Sequence, residues 1–225
     1  MNINSSQSGN VFFIILIAVG LLAAITITIS RSGSNVDQSG DVEQNRIKIS
    51  QIQRYARGIE AGIQRLLLDG CSENEISFEN SVDLNYTNPR SPANKSCHVF
   101  EPEGAGLEFR EFGNDLQGAV SNINFNSDIV VKGVEADSVP SGIDLVFATR
   151  ITQSVCNQIN RDLDISALAV DITSSIDTWD SYYVGGFVGG FDLAVTDSLG
   201  LEGQHAGCII DDNGHYVYYH VLLAR

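Results

Sequence analysis

Basic residues are scarce in this chain of 225 residues: 13 Lys and Arg stand against 28 Asp and Glu, a formal net charge of −15. The shortage is uneven. Residues 1–10, MNINSSQSGN, hold no Lys or Arg. Residues 31–68 hold six (Arg31, Arg46, Lys48, Arg54, Arg57, Arg65) against four acids (Asp37, Asp41, Glu43, Glu60), while residues 69–225 hold seven against twenty-four. A surface that acidic repels phosphate, which argues against nucleic-acid binding by the globular part and against docking on anionic lipid. Catalytic signatures are missing as well. There is no GxSxG, no HExxH, no P-loop and no GxGxxG before a helix. The expectation is therefore a non-enzyme with no cofactor. The chain also lacks a CxxC pair. Its four cysteines, Cys71, Cys97, Cys156 and Cys208, are widely spaced. An even number beside an export-like N-terminus predicts two disulfides and an oxidising compartment; four buried thiols in a cytosolic protein is the alternative.

What the chain does have is one long apolar run, Val11–Ile29, VFFIILIAVGLLAAITITI. As a helix at about 1.5 Å per residue it reaches roughly 28 Å, close to the ~30 Å hydrocarbon core of a bilayer. A cleaved secretory signal would need a basic start, a shorter apolar core and a small-residue cleavage site. A plain signal anchor fits the length. A third reading comes from the neighbours. The leader MNINSSQSG is short and polar and ends in Gly9; Asn10 then opens the helix with Val11, Phe12 and Phe13. This start resembles that of type IV pilins and pseudopilins. The resemblance implies cleavage between Gly9 and Asn10 and a helix that serves first as membrane anchor and then as filament core. Two features depart from the family pattern: the leader lacks basic residues, and Ile14 occupies the fifth position after the cut, where the family has Glu. The assembly helix would present Val11, Phe12, Phe13, Ile14, Leu21 and Leu22, with Gly20, Ala18, Ala23 and Ala24 permitting close helix packing. The basic residues after the run weakly favour a cytoplasmic C-terminal side, and the cysteines favour export; the cysteines outweigh them, because a large domain translocates largely regardless of charge.

After the run, Ser32–Gly40, SGSNVDQSG, reads as a loosened joint. Asp41–Leu68 then has helical spacing, with Ile49, Ile52, Ala56, Ile59, Ile63, Leu66 and Leu67 on one stripe and Gly58 and Gly62 weakening it slightly. Asp69–Gly70 stops it. Between Cys71 and Cys97 the sequence is poor in apolar residues, so a local bridge worth about 3 kcal/mol is expected to staple it. Strands are expected over Glu75–Phe78, His98–Glu101, Leu107–Phe112, Ile129–Val134, Ile143–Thr149 and Ala167–Ile172, and a helix over Ile151–Leu163. Tyr182–Ala194, with its VGGF/VGGFD repeat, reads as a glycine-rich loop or an adaptable contact surface. Asn213–Gly214 predicts a two-residue hairpin in which Asp212 faces His215, Ile210 faces Val217 and Cys208 faces Tyr219. Cys208 would then point at Cys156 on the helix, giving the second bridge.

Two metal readings arise and are set aside. His205, Cys208, His215 and His220 suggest zinc, but His215 and His220 fall on opposite faces of one strand and Cys208 is assigned to a bridge. Asp211, Asp212 and Asn213 suggest calcium without EF-hand spacing. The fold class expected is α+β: an N-terminal hydrophobic then amphipathic helix packed on an antiparallel sheet head held by two disulfides. Its parts are a leader-like segment at 1–9, an assembly helix at 10–30, a joint and stalk at 31–70 and a head at 71–225. The function expected is that of a structural subunit that waits in the inner membrane and assembles with copies of itself into an extracellular filament. The alternative is an anchored domain that binds a ligand and never polymerises.

Overall fold

The computed structural model describes residues 8–117, 123–129, 131, 133–134, 143–165, 170–171, 183–187, 200–211 and 214–225, with backbone alone at 8–11, 23–39, 115, 117, 128–129 and 170–171. Helix α1 is Ser8–Leu68, followed by α2 (Asn114–Gln117), β1 (Ile123–Ile129), β2 (Asp144–Ile151), α3 (Gln153–Asp162), β3 (Val170–Asp171), β4 (Ala206–Ile210) and β5 (Tyr216–Leu223). The chain divides into two compact units, Met1–Gln44 and Asn45–Arg225. Ser32–Gly40, expected as a loosened joint, lies within the helical backbone of α1. Its Ser, Asn and Asp residues have middling helix propensity, and each glycine costs only ~1 kcal/mol, which flanking helix absorbs.

In the second unit the apolar stripe of α1 behaves as its spacing dictates. Ile49, Ile52, Ala56, Ile59, Ile63 and Leu66 are all buried, and Leu67 is half-buried. Gly62 has a packing reason: a Cβ there would come within 2.9 Å of the Leu107 side chain and 3.3 Å of Ala105. The sheet order is β1-β2-β5-β4-β3. Four strands are antiparallel, and the two-residue β3 pairs parallel to β4 at the edge. The fold is thus α+β with an antiparallel sheet and two disulfides. One sheet face meets the α1 stripe, α3 and a cluster of rings; Phe78 stacks on Phe125 with centroids 4.1 Å apart. The other face, carrying Val146, Ala148, Val217, Tyr219 and Val221, is covered by Val131, Ile165 and Leu201.

Several expected strands take a different form. Ser77 and His98 make one isolated parallel bridge, and no strand covers 75–78, 98–101 or 107–112. Ile76, Phe78, Val99 and Phe112 are nonetheless buried, and Phe100, Leu107 and Phe109 are half-buried against the same core. Side chains and single backbone bonds satisfy this segment in place of a ladder: Asn88 Nδ2 donates to the carbonyls of Asn74 and Ile76, at 2.9 and 2.7 Å. β1 occupies Ile123–Ile129 and ends where the strand expected over Ile129–Val134 was to begin. Its asparagines disfavour a strand locally, but Asn124 and Asn126 are both buried, so tertiary pairing overrides propensity. The expected strand over Ala167–Ile172 is described at Val170–Asp171, as β3.

The C-terminal hairpin forms with a shifted register. Cys208 pairs with Tyr218, Ile209 with Val217 and Ile210 with Tyr216. The expected pairs, Ile210 with Val217 and Cys208 with Tyr219, are each displaced by one residue. Three residues separate Asp211 from His215, whose main chains bond at 2.9 Å, and Gly214 holds φ +79° at the end of the turn. That is the geometry of a three-residue loop closed by a left-handed glycine. A one-residue slip turns β5 over relative to β4. Tyr216, Tyr218 and Leu222, not Val217 and Tyr219, therefore share the face of Cys208.

Candidate functional site

Two surfaces and two polar clusters stand out among the described residues. The first surface is the N-terminal part of α1. Gly9, Asn10 and Val11 are helical in backbone. From Phe12 to Leu22 nine large apolar side chains stand 49–67 % exposed: Phe12, Phe13, Ile14, Ile15, Leu16, Ile17, Val19, Leu21 and Leu22. They face all sides of the helix, so no single flank of a folded head could cover them. Among the described residues nothing lies within 4 Å of a Cβ built on Gly20. Among the described residues no helix is long and apolar enough to cross a membrane.

The second surface is a groove of about 460 Å³ beside α1 in the head. Phe100, Leu107 and Phe109 form its apolar walls, with the two phenylalanine rings edge to face at 5.4 Å. Glu79, Glu101 and Glu108 supply carboxylates. The Lys95 ammonium is hydrogen-bonded to Glu101, which raises the lysine pKa and lowers that of the carboxyl. Buried close by, His98 has its Nδ1 without a hydrogen-bond partner among the described residues; burial lowers its pKa. A smaller hollow of about 290 Å³ lies against the Cys71–Cys97 bridge.

The first polar cluster joins helix to sheet. His220 on β5 sits between Glu60 of α1, 2.9 Å from Nε2, and the Tyr218 hydroxyl, 3.3 Å from Nδ1. Burial lowers the His220 pKa against the opposing pull of Glu60, and burial raises that of Tyr218. The second sits at the hairpin end. Asp211 is buried and accepts from the His215 main-chain N–H at 2.7 Å, with His215 Nδ1 at 3.1 Å and Arg150 at 4.0 Å. These contacts engage His215 and His220, two of the three histidines that suggested zinc, and Cys208 is in a disulfide. No group of three or more metal-binding side chains occurs among the described residues. Neither cluster was legible in the sequence, because Glu60 and His220 stand 160 positions apart and the Asp211–His215 contact depends on the three-residue turn.

The cysteines pair as their surroundings suggest: Cys71 with Cys97 and Cys156 with Cys208. Cys156 and Cys208 are both fully buried, and Asn160 reinforces their contact by bonding both the N–H and the carbonyl of Cys208. Of the glycine-rich stretch Tyr182–Ala194, residues 183–187 are described; the rest lies outside the described residues. Arg90 donates to the Gly185 carbonyl, Ser127 to that of Gly186, and the Arg225 guanidinium lies 4.0 Å from the Phe187 ring centre. The described part of this stretch is thus held to the head by Arg90, Ser127 and Arg225. Comparison with protein-family models, with curated proteins and with solved structures finds no match.

Proposed function

We propose that this chain is a structural subunit of an extracellular pilus-like filament or pseudopilus, assembled through the N-terminal part of α1 and exposing an acidic, disulfide-held head. The observation that carries the reading is the exposure of nine large apolar side chains between Phe12 and Leu22. Contiguous apolar surface of that kind marks a membrane or protein contact. In this reading the run Val11–Ile29 waits in the inner membrane. Assembly moves it from lipid into a bundle of identical helices, so the apolar surface is covered in both states and the transfer costs little hydrophobic free energy. Gly9 and Asn10 flank the processing site. The resemblance to type IV pilins and the two disulfides agree with this route, and the chain performs no catalysis.

The groove of about 460 Å³ favours a second reading, a membrane-anchored domain that binds a ligand at the surface and does not polymerise. Mass spectrometry of the mature protein separates the two. A chain beginning at Asn10, recovered in high-molecular-weight assemblies, supports the filament subunit. An intact Met1 in detergent-solubilised monomers supports the anchored domain. A chain beginning near Ser32 marks an ordinary cleaved signal and removes both readings. Deletion of Val11–Ile29 that leaves filaments unchanged also overturns the filament reading.

A further inference from the structure

The head carries a basic arc on α1 and an acidic groove that share no residue. On the solvent side of α1, Arg46, Arg54 and Arg57 are exposed. At ~100° per residue these three fall within an arc of about 80°, opposite the buried stripe of Ile52, Ala56, Ile59 and Ile63. Ile47, 52 % exposed, stands at the edge of the same arc and gives it an apolar contact. The acidic groove has the complementary character. Its apolar walls, Phe100, Leu107 and Phe109, can cover an aliphatic stem, and Glu79, Glu101 and Glu108 can receive a guanidinium. Glu101, one of these three, pairs with the ammonium of Lys95, which does not line the groove, and Glu79 and Glu108 are the carboxylates proposed to meet an incoming guanidinium.

Building on the filament reading, we infer that the groove of one copy receives the Arg46–Arg54 stripe of α1 from a second copy. Stripe and groove are different patches of one chain, so the contact is heterologous and repeats in one direction instead of closing a symmetric dimer. Such a contact gives a string of subunits its register, while the apolar helices supply the bulk of the association. Exposed ion pairs are individually weak and are screened over ~10 Å at ~0.1 M salt. The docking is therefore salt-sensitive, whereas burial of the apolar helices is not.

The test is a charge exchange in the full-length chain, with self-association followed by sedimentation in detergent at low and at high salt. Glu79→Arg with Glu108→Arg, and separately Arg46→Glu with Arg54→Glu, should each weaken association at low salt by about tenfold or more. Combining all four substitutions should restore it, and high salt should erase the differences. Circular dichroism and intact disulfides check that each variant folds. If wild type associates and either double variant matches it, or the combined variant stays as weak as its parents, the docking is wrong and the filament reading stands. If wild type does not associate at all, both fall.

Discussion

The Nε2 of His220 stands 2.9 Å from the Glu60 carboxylate, although the two residues are 160 positions apart. Together they tie α1 to β5. With the proton on Nε2, His220 donates to Glu60 and accepts from the Tyr218 hydroxyl at 3.3 Å. Both ring nitrogens of a buried histidine are thereby satisfied. Protonation of Nδ1 would remove the acceptor that Tyr218 uses.

Acid should therefore loosen the head before its carboxylates are protonated. Burial holds the His220 pKa below 6.5, with Glu60 pulling up and Arg57 and His205 pulling down. As pH falls the unfolded chain takes the proton first, so stability is full above about 6.5 and declines as pH drops through that value. His98, also lowered by burial, contributes with the same sign. Urea midpoints measured across this range should fall towards acid, and His220→Gln should flatten part of that slope. An unchanged slope in the variant would show that His220 does not carry it.

The two disulfides should differ in access. Cys156 and Cys208 are fully buried, whereas Cys71 is half-buried beside an open hollow. Mild reductant on the folded protein should open Cys71–Cys97 first, as read by alkylation and peptide mapping. The closed loops have separations of 26 and 52 residues, so loop entropy gives about 3.5 and 4 kcal/mol for the two bridges. Cys156→Ser with Cys208→Ser should thus cost slightly more than the corresponding change at Cys71 and Cys97. Alkylation of Cys156 ahead of Cys71 would contradict the burial argument.

The same contrast explains what the sequence discloses. Helical spacing identifies the buried stripe from Ile49 to Leu66 because a helix must bury one face, and every third or fourth residue reports it. Strand register is harder. β5 is apolar on both faces, because Tyr218 and Leu222 pack on one side and Val217, Tyr219 and Val221 on the other. A pattern without a polar face cannot say which way a strand faces, so the hairpin register depended on the turn alone. Asn213–Gly214 suggests a two-residue turn, and the observed loop is one residue longer. The polar cluster of Glu60, His220 and Tyr218 follows from helix and sheet meeting across the whole chain and leaves no local signature.

Glycine substitutions should separate crowding from backbone conformation. Gly185 and Gly214 have similar positive φ, +85° and +79°. Among the described residues a Cβ on Gly214 meets nothing within 4 Å, but one on Gly185 would sit 2.2 Å from Asn88 Oδ1 and 2.6 Å from the Asn74 carbonyl. Gly214→Ala should cost about 1 kcal/mol, the usual penalty for a left-handed residue gaining a side chain. Gly185→Ala should cost clearly more, since Asn88 must move and its bonds to Asn74 and Ile76 weaken. Equal denaturation midpoints for the two variants would rule out the crowding.

Tyr86 should protect an edge of the sheet. β1 is an outer strand, and on the side away from β2 the Phe125 N–H donates to the Tyr86 hydroxyl at 3.2 Å while that hydroxyl donates to the Ile123 carbonyl at 3.3 Å. The Tyr183 N–H fills the Phe125 carbonyl at 2.9 Å. Side chain and loop thus take bonds that a further strand would otherwise make. Tyr86→Phe keeps the ring, fully buried against Phe125, and removes only the hydroxyl. Two lost hydrogen bonds, one leaving a buried N–H without an acceptor, should cost about 1–3 kcal/mol. The opened edge should also raise aggregation on heating, because an unpaired strand edge is a template for another chain. Light scattering during a thermal ramp checks this. A variant that melts earlier but aggregates no faster would assign Tyr86 to stability alone and leave the protection of the edge to Tyr183.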